Sequence, residues 1–225
     1  MPLEQAIAAF QRFCGQDLTR TLAQIESSLG GTSRESLDGT LTSIGASAEM
    51  LMGAGELKRI LGQLNVVIHA LGILLCLPKI LEPGEVIQYV SLGAGNTGRP
   101  FDLETDRRVA EFKFITWQGG SEPIRQNGVF KDFYLLAEHN TQKKKYLYVL
   151  GTLYPLKFLN GGRALVSVLS KDAPLLKQFQ GKYGNHYHKV REYYQPRQAA
   201  VLIEDASPWL SSLVPSEGDE VETVV

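Results

Sequence analysis

Apolar residues recur along this chain with two different spacings, and the spacing changes at Pro83-Gly84. Before that point they return every three or four positions, the period of a helix with one buried face, and after it they form short runs typical of strands. A proline followed by glycine ends a helix. The pattern therefore predicts an N-terminal helical part followed by an α/β part. The predicted helices cover residues 3–29, 34–54 and 56–81, and the first predicted strands cover residues 86–92, 100–105 and 108–117.

The next predicted helix lies between two predicted strands. Ser121 is a suitable N-cap and Pro123 fits the first turn, so we expect the helix to start there and to end near His139. A buried strand follows over residues 146–153. Because parallel strands need a crossover connection, this order predicts a sheet with a parallel pair. The side chains expected to face inward from this helix are Ile124, Phe130, Phe133, Tyr134 and Ala137.

The remaining pattern extends the α/β part. Residues 164–170 predict a strand, residues 173–179 a short helix and residues 199–205 a last strand. The C-terminal end is acidic and poor in large apolar side chains, which predicts a disordered tail. We therefore expect three segments: a helical extension over residues 1–55, an α/β domain over residues 56–214, and an acidic tail over residues 215–225.

The segment FDLETDRRVAEFK, residues 101–113, places charged side chains inside an apolar strand pair. If the chain reverses within TDRR, Asp102 lies directly opposite Glu111, with Cβ atoms about 4.5–5.5 Å apart. Residues two apart in a strand share a face, so Lys113 points the same way as Glu111. Two carboxylates this close repel each other unless a cation lies between them, and Mg²⁺ prefers oxygen ligands. The spacing predicts a metal site beside a lysine.

An aspartate on one strand followed by Glu-x-Lys on the next resembles the PD-(D/E)xK nuclease superfamily, which includes type II restriction enzymes and archaeal Holliday-junction resolvases. The similarity covers residues 56–151, and it departs from the family pattern where Phe101 separates Pro100 from Asp102. It implies a restriction-endonuclease-like fold, with a mixed central sheet flanked by helices. Many members also place a glutamate on the preceding helix, where Glu56 is the nearest candidate.

The resemblance implies a role for each motif residue. Asp102 and Glu111 would hold one or two Mg²⁺ or Mn²⁺ ions, together with the main-chain carbonyl of Phe112. Lys113 would assist the attacking water in phosphodiester hydrolysis. The substrate would be a nucleic acid, and DNA is the expectation. Restriction enzymes and resolvases often act as dimers, so a homodimer is a further expectation.

Other residues are candidates for contact with the nucleic acid. On the helix after the motif, Gln126 or its neighbour Arg125 would touch the scissile strand, as in several nuclease families, or both would lie on an exposed helix face. The lysines at 143–145 and the aromatic, basic stretch over residues 182–194 could bind phosphates or stack on bases, although solvated lysines and packing tyrosines are commoner. Residues 1–197 contain 23 basic and 18 acidic residues, because six of the 24 acids lie beyond them. A mildly basic body is compatible with a phosphate-bearing substrate.

Three alternatives to a nuclease site stay open. Glu111 and Lys113 could form an exposed ion pair, with Asp102 a surface residue of the hairpin. The domain could also keep the nuclease fold as a non-catalytic interaction module. Residues 93–98 spell G-x-G-x-x-G after a strand, which resembles the loops of dinucleotide-binding enzymes and S-adenosylmethionine methyltransferases. That fingerprint requires a helix at its third glycine, and the next strand begins too soon for one.

The cellular setting follows from features that the sequence does not contain. The start lacks a basic region before a long apolar core, and the most apolar run, residues 66–77, is shorter than a bilayer span. His69 lies in that run and is expected to be a core histidine. Cys14 and Cys76 form no metal motif. We expect a cytoplasmic protein without a membrane segment.

Overall fold

The computed structural model of the chain describes residues 2–14, 17–29, 33–93, 98–117, 119 and 122–213. The chain divides into two compact units, the first over residues 1–65 and the second over residues 66–225. The expected acidic tail, the N-cap Ser121 and the middle of the glycine segment, residues 94–97, lie outside the described residues.

The described part of the first unit is helical, and its first helices are shorter than predicted. The single helix predicted over residues 3–29 is wrong, because the side chain of Asp17 accepts a hydrogen bond from the N–H of Arg20 at 3.0 Å and caps a new helix. The helix predicted over residues 34–54 is also wrong, because Gly45 adopts a left-handed φ of 72° that ends a helix. The helices are α1 (Leu3–Cys14), α2 (Leu18–Leu29), α3 (Arg34–Ser43) and the beginning of α4 (Ala48–Ile80).

Helix α4 starts earlier than predicted and runs into the second unit. The hydroxyl of Ser47 accepts the N–H of Met50 at 3.1 Å, which caps the helix ahead of Gly53 and Gly55, where one predicted helix ended and the next began. Residues Met50–Ile80 are long and apolar enough to cross a membrane. The most apolar window within them has a mean hydropathy of 2.1, and 17% of that window is buried. Length and composition are weak evidence for a span, since core helices of soluble proteins share them. The expected absence of a membrane segment stays a prediction.

The second unit is built on a five-stranded mixed sheet, which confirms the predicted α/β class. Neighbouring strands follow the chain order, and the first three form an antiparallel meander. The third, fourth and fifth are parallel. Because the first two strands are antiparallel, residues 93–98 do not connect a parallel β–α–β unit. The strands are β1 (Ile87–Val90), β2 (Leu103–Thr105), β3 (Arg108–Lys113), β4 (Lys144–Val149) and β5 (Leu202–Asp205).

The helices of the second unit include two that the sequence did not predict, over residues 153–159 and 190–194, and one that it misassigned. Helix α5 lies between β3 and β4, with Pro123 in its first turn as predicted, but Ile124 is 86% exposed and was wrongly expected inside. The strand predicted over residues 164–170 is a helix, because Leu165, Val168 and Leu169 are buried together at helical spacing. The helices are α5 (Pro123–Glu138), α6 (Leu153–Leu159), α7 (Leu165–Leu169), α8 (Ala173–Tyr183) and α9 (Val190–Tyr194).

Apolar side chains cover both faces of the sheet. On one face, Phe112 of β3 belongs to a cluster with Ile73 and Cys76 from the end of α4. On the other face, Val109 of β3 belongs to a cluster with Phe133 of α5. Because side chains alternate along a strand, the face that carries Val109 also carries the two charged residues that follow it at every second position. The charged motif therefore lies on the α5 side of β3.

A buried ion pair joins the segment before β1 to the start of β3. Arg108 donates to both oxygens of Glu85 at 2.6 Å, and the two side chains are 5% and 0% exposed. Thr105 donates to the same carboxylate at 2.6 Å, and Tyr148 lies 3.3 Å from the guanidinium. Burial raises the pKa of Glu85, but hydrogen bonds from Arg108, the N–H of Glu82 and Thr105 outweigh it and lower this pKa to about 2.

Glu85→Gln should destabilise the second unit by about 3 kcal/mol at neutral pH, because Arg108 would stay buried and charged without its partner. A carboxyl group whose pKa is lowered on folding stabilises the fold above its ordinary pKa of 4.5, and this contribution is lost as the pH falls toward 2. Urea denaturation at neutral and acidic pH should therefore show the difference between wild type and variant shrinking in acid.

The matched control is Glu56→Gln, which removes the carboxylate from an exposed pair with Arg59. No measurable change is expected, because exposed ion pairs contribute little. An equal loss of stability in both variants would contradict the special role of the buried pair.

Helix α4 approaches the end of β3 closely at Gly72. A Cβ atom there would lie 2.5 Å from Cε2 and 2.6 Å from Cδ2 of Phe114. Gly72→Ala should therefore lower the free energy of unfolding by about 1–3 kcal/mol, the usual cost of overpacking. Thermal unfolding followed by circular dichroism would measure the loss. Gly62→Ala on the same helix is the control: no atom lies within 4 Å of a Cβ at that position, so stability should rise by up to about 1 kcal/mol.

Candidate functional site

The hairpin of β2 and β3 places two acidic residues opposite each other. Leu103 pairs with Ala110 and Glu104 pairs with Val109. One further step of the same register sets Asp102 opposite the residue that follows Ala110, which is Glu111. The predicted reversal of the chain and the predicted register are therefore confirmed.

The turn between the two strands depends on one hydroxyl group. Thr105 accepts hydrogen bonds from the N–H groups of Arg107 and Arg108 at 3.0 and 2.9 Å. The same hydroxyl donates to Glu85, so the turn is tied to the buried ion pair. This end of the hairpin is fixed by local chemistry, and the register follows from it.

Asp102 is a buried carboxylate with a defined partner at each oxygen. Its Oδ2 accepts the N–H of Phe112 at 3.0 Å, and its Oδ1 lies 3.4 Å from Nε2 of His69 on α4. Burial raises the pKa of Asp102, but hydrogen bonds with His69, Glu111 and the N–H of Phe112 outweigh it and lower this pKa. Asp102 is therefore the ionised member of the pair. Asp102 is therefore not an exposed surface residue of the hairpin, which was one of the alternatives.

Glu111 is the neutral member of the pair in the metal-free protein. Its pKa rises to about 10, first because of burial, then because of repulsion by Asp132 and its hydrogen bond with Asp102. Glu111 therefore keeps its proton at neutral pH and shares it with Asp102. Several acidic groups converge here with too little positive charge to ionise them all, which is the electrostatic condition that favours a cation.

Lys113 extends from β3 to α5, where it meets a residue that the sequence analysis did not single out. Its Nζ lies 2.7 Å from Oδ2 of Asp132, whose side chain is 10% exposed. Burial lowers the pKa of Lys113, but Asp132, Glu111 and Asp102 outweigh it and raise this pKa, so the ammonium group is charged. The interpretation as an exposed Glu111–Lys113 ion pair is not what the structure shows.

A sequence signal for Asp132 was present. Val129, Asp132, Phe133 and Leu136 lie at helical spacing and are all buried, so Asp132 interrupts the apolar stripe of α5. A carboxylate in such a stripe needs a partner. His69 also lies in an apolar run, where it was expected to be a core histidine, and its Nε2 lies 3.4 Å from Oδ1 of Asp102.

Gln126 is buried on α5, and Arg163 donates a hydrogen bond to its Oε1. Arg125 pairs with Glu122 and lines a cavity of about 10 Å³ beside Lys113 and Trp117. That volume is close to the space needed by one water molecule, so a nucleotide does not fit inside. The roles of Gln126 and Arg125 at a scissile strand stay predictions.

The remaining candidates lie elsewhere in the structure. Glu56 belongs to the first unit and pairs with Arg59. Lys143 bonds to Gln88 and Glu104, so part of the lysine cluster supports the sheet. The two neighbouring lysines also have partners within the protein: Lys144 bonds to Glu82, and Lys145 donates to the carbonyl of Ala137.

The aromatic, basic stretch over residues 182–194 contributes to packing. Tyr183 and Tyr193 both donate to Glu138, at 2.6 and 2.5 Å. Arg197 lies over the Tyr193 ring with 4.2 Å to its centre. These rings have protein partners, which favours the structural interpretation of the stretch.

The donor set permits a limited kind of metal site. Among the described residues, no three His, Cys, Asp or Glu side chains are arranged to enclose a metal ion. Asp102 and Glu111 supply two adjacent carboxyl groups. Mg²⁺ is usually bound by one or two carboxylates and keeps several waters, so the pair fits Mg²⁺ better than an ion that needs a full protein cage. The main-chain N–H of Phe112 is used by Asp102, whereas a role of its carbonyl stays a prediction.

No model of a known protein family matches the sequence, no curated protein matches it, and no solved structure matches the fold. The resemblance to PD-(D/E)xK nucleases therefore depends on the motif residues and their geometry. Because a fold alone does not determine function, the function of this chain has to be inferred from the chemistry of the site.

Glu111→Gln should stabilise the metal-free protein in mild alkali. A carboxyl group whose pKa is raised on folding costs stability once the pH passes its ordinary value of 4.5, and the cost grows until about pH 10. Wild type should lose at most about 1.4 kcal/mol per pH unit in this window through this group. Urea denaturation in a chelating buffer at several pH values would show that slope, and Glu111→Gln should reduce it.

The control is Glu104→Gln on the same hairpin. Glu104 pairs with Lys143 at 2.6 Å, and its pKa is lowered by that hydrogen bond. Its removal should not stabilise the protein in alkali. Equal pH slopes in wild type and Glu111→Gln would show that Glu111 is not held protonated.

Proposed function

We propose that the second unit is a metal-dependent nuclease domain that hydrolyses phosphodiester bonds in nucleic acid, with DNA as the expected substrate. The observation that carries the proposal is the buried carboxyl pair, in which Asp102 and Glu111 lie opposite each other. Lys113 follows Glu111 at the next position on the same face of β3. The element order supports it, since a helix, three antiparallel strands, a helix and a parallel strand agree with a restriction-endonuclease-like core.

Under this proposal the carboxyl pair and the carbonyl of Phe112 would hold Mg²⁺ or Mn²⁺. A divalent ion in such a site neutralises phosphate charge and makes a bound water more acidic. Lys113 contributes a fixed positive charge for the oxygens of the phosphodiester. His69 and the N–H of Phe112 orient Asp102, one at each oxygen. A cytoplasmic location and a homodimer remain expectations of the same proposal.

The test is cleavage of single-stranded, duplex and branched DNA by the purified chain with Mg²⁺ or Mn²⁺. Asp102→Asn, Glu111→Gln and Lys113→Ala should each lower the rate by about 100-fold or more, the scale on which groups that stabilise transition-state charge contribute. A chelator should abolish cleavage by wild type.

Glu104→Gln is again the matched control, because it removes a neighbouring acid from the same hairpin and should leave the rate unchanged. Cleavage that persists in Lys113→Ala would remove Lys113 from the mechanism. Cleavage that persists in both carboxyl variants would assign the activity to a contaminant or to another site.

A non-catalytic nuclease-fold module is the second candidate, and one observation favours it. The described residues contain no metal-binding group of three side chains. Calorimetric titration with Mn²⁺ separates the candidates. A nuclease should show binding that Asp102→Asn abolishes, whereas a module should show none.

A further inference from the structure

Asp132 is a buried acid on α5 that the motif does not include. Its neighbours at helical spacing, Val129, Phe133 and Leu136, are core residues, so the helix presents this carboxylate to the interior of the unit. Burial raises the pKa of Asp132, so its carboxylate stays ionised there only with a cation beside it. Lys113 supplies it at 2.7 Å, the distance of a charge-assisted hydrogen bond.

The side chain of Lys113 passes close to Gly128 before it reaches Asp132. A Cβ atom at Gly128 would lie 3.7 Å from Nζ and 3.8 Å from Cε of Lys113, and no other neighbouring side chain comes as near among the described residues. Residues four apart on a helix share a face, so Gly128 and Asp132 are successive positions under the lysine. A Cβ at Gly128 would only be in ordinary van der Waals contact with the lysine, so a larger side chain is needed to obstruct it, and the aspartate binds its end.

A second ion pair on the same helix shows what an ordinary contact looks like. Lys131 and Asp172 are 2.8 Å apart, but their side chains are 47% and 32% exposed. Lys113 and Asp132 are 27% and 10% exposed. Exposed pairs barely restrict their side chains, whereas a pair enclosed in this way fixes one lysine rotamer.

We propose that Asp132 is a positioning residue that holds the ammonium group of Lys113 beside the carboxyl pair. The purpose of this contact rests on the proposed nuclease function, since a preplaced charge acts on a phosphodiester without having to be reordered. The contact itself does not depend on that function, and it can be measured in a protein that cleaves nothing.

The first experiment measures how fast an amine-acylating reagent modifies Lys113 in the folded protein, read after digestion by mass spectrometry of the peptide that contains Lys113. Asp132→Asn should raise the rate by about threefold or more, because the ammonium group loses the partner that shields it. Gly128→Leu should raise it as well, because leucine occupies the path of Lys113 while Asp132 stays. Leucine also forms helix better than glycine, so this second variant keeps the test available if Asp132→Asn fails to fold.

The matched control is Asp172→Asn, which removes the partner of Lys131 while asparagine can still cap α8. Labelling of Lys113 should stay at the wild-type rate in this variant. Equal labelling of Lys113 in wild type, Asp132→Asn and Gly128→Leu would overturn the proposal.

The second experiment measures DNA cleavage by the same proteins. Asp132→Asn should lower kcat by about 10- to 100-fold at unchanged KM, the loss that follows when a catalytic group is misplaced by about 1 Å. Asp132→Glu keeps the negative charge and should recover part of kcat, and Asp172→Asn should retain all of it. An unchanged or increased kcat in Asp132→Asn would also overturn the positioning role. Absence of cleavage by wild type would instead count against the nuclease function, and the labelling result would still decide whether Asp132 holds Lys113.

Discussion

The pairing register of β2 with β3 is the constraint on which the candidate site depends. A slip of one residue moves every side chain of a strand to the other face, so Asp102 and Glu111 would no longer meet. The register is set at the opposite end of the hairpin, where Thr105 closes the turn and Glu85 is buried against Arg108. The geometry of the carboxyl pair is therefore maintained by residues that have no part in its chemistry.

The acidic groups of the site outnumber the cationic groups that balance their charge. Three acids, Asp102, Glu111 and Asp132, share the positive charge of Lys113, the contact with His69 and the proton on Glu111, and burial raises the pKa of Asp132 as well. Acids buried this closely cannot all ionise. The proton on Glu111 is thus a consequence of the fold, and the excess of acidic groups is what makes the pair suitable for a divalent cation. Lys113 is a charged group of fixed position rather than a free base.

The sequence predicted what depends on neighbours in the chain. The β2–β3 hairpin and its register follow from a local turn, and the start and end of α5 follow from Pro123 and His139. Residues 164–170 were misassigned because a short apolar run fits a buried strand or a buried helix, and only packing decides. The partners of His69 and Asp132 could not be predicted, although Asp132 interrupts the apolar stripe of α5, because α4 and α5 bring them to the sheet from distant parts of the chain.

The two contacts of Asp102 would influence which divalent ion the proposed metal site selects. A carboxylate held at one oxygen can swing about its Cβ, but one that is anchored by a backbone amide and by an imidazole keeps a single orientation. Small ions with strict octahedral coordination tolerate such rigidity, whereas larger ions such as Ca²⁺ rely on pliable ligands. Discrimination by ionic radius would then originate in β3 and α4, the two elements that anchor this one side chain.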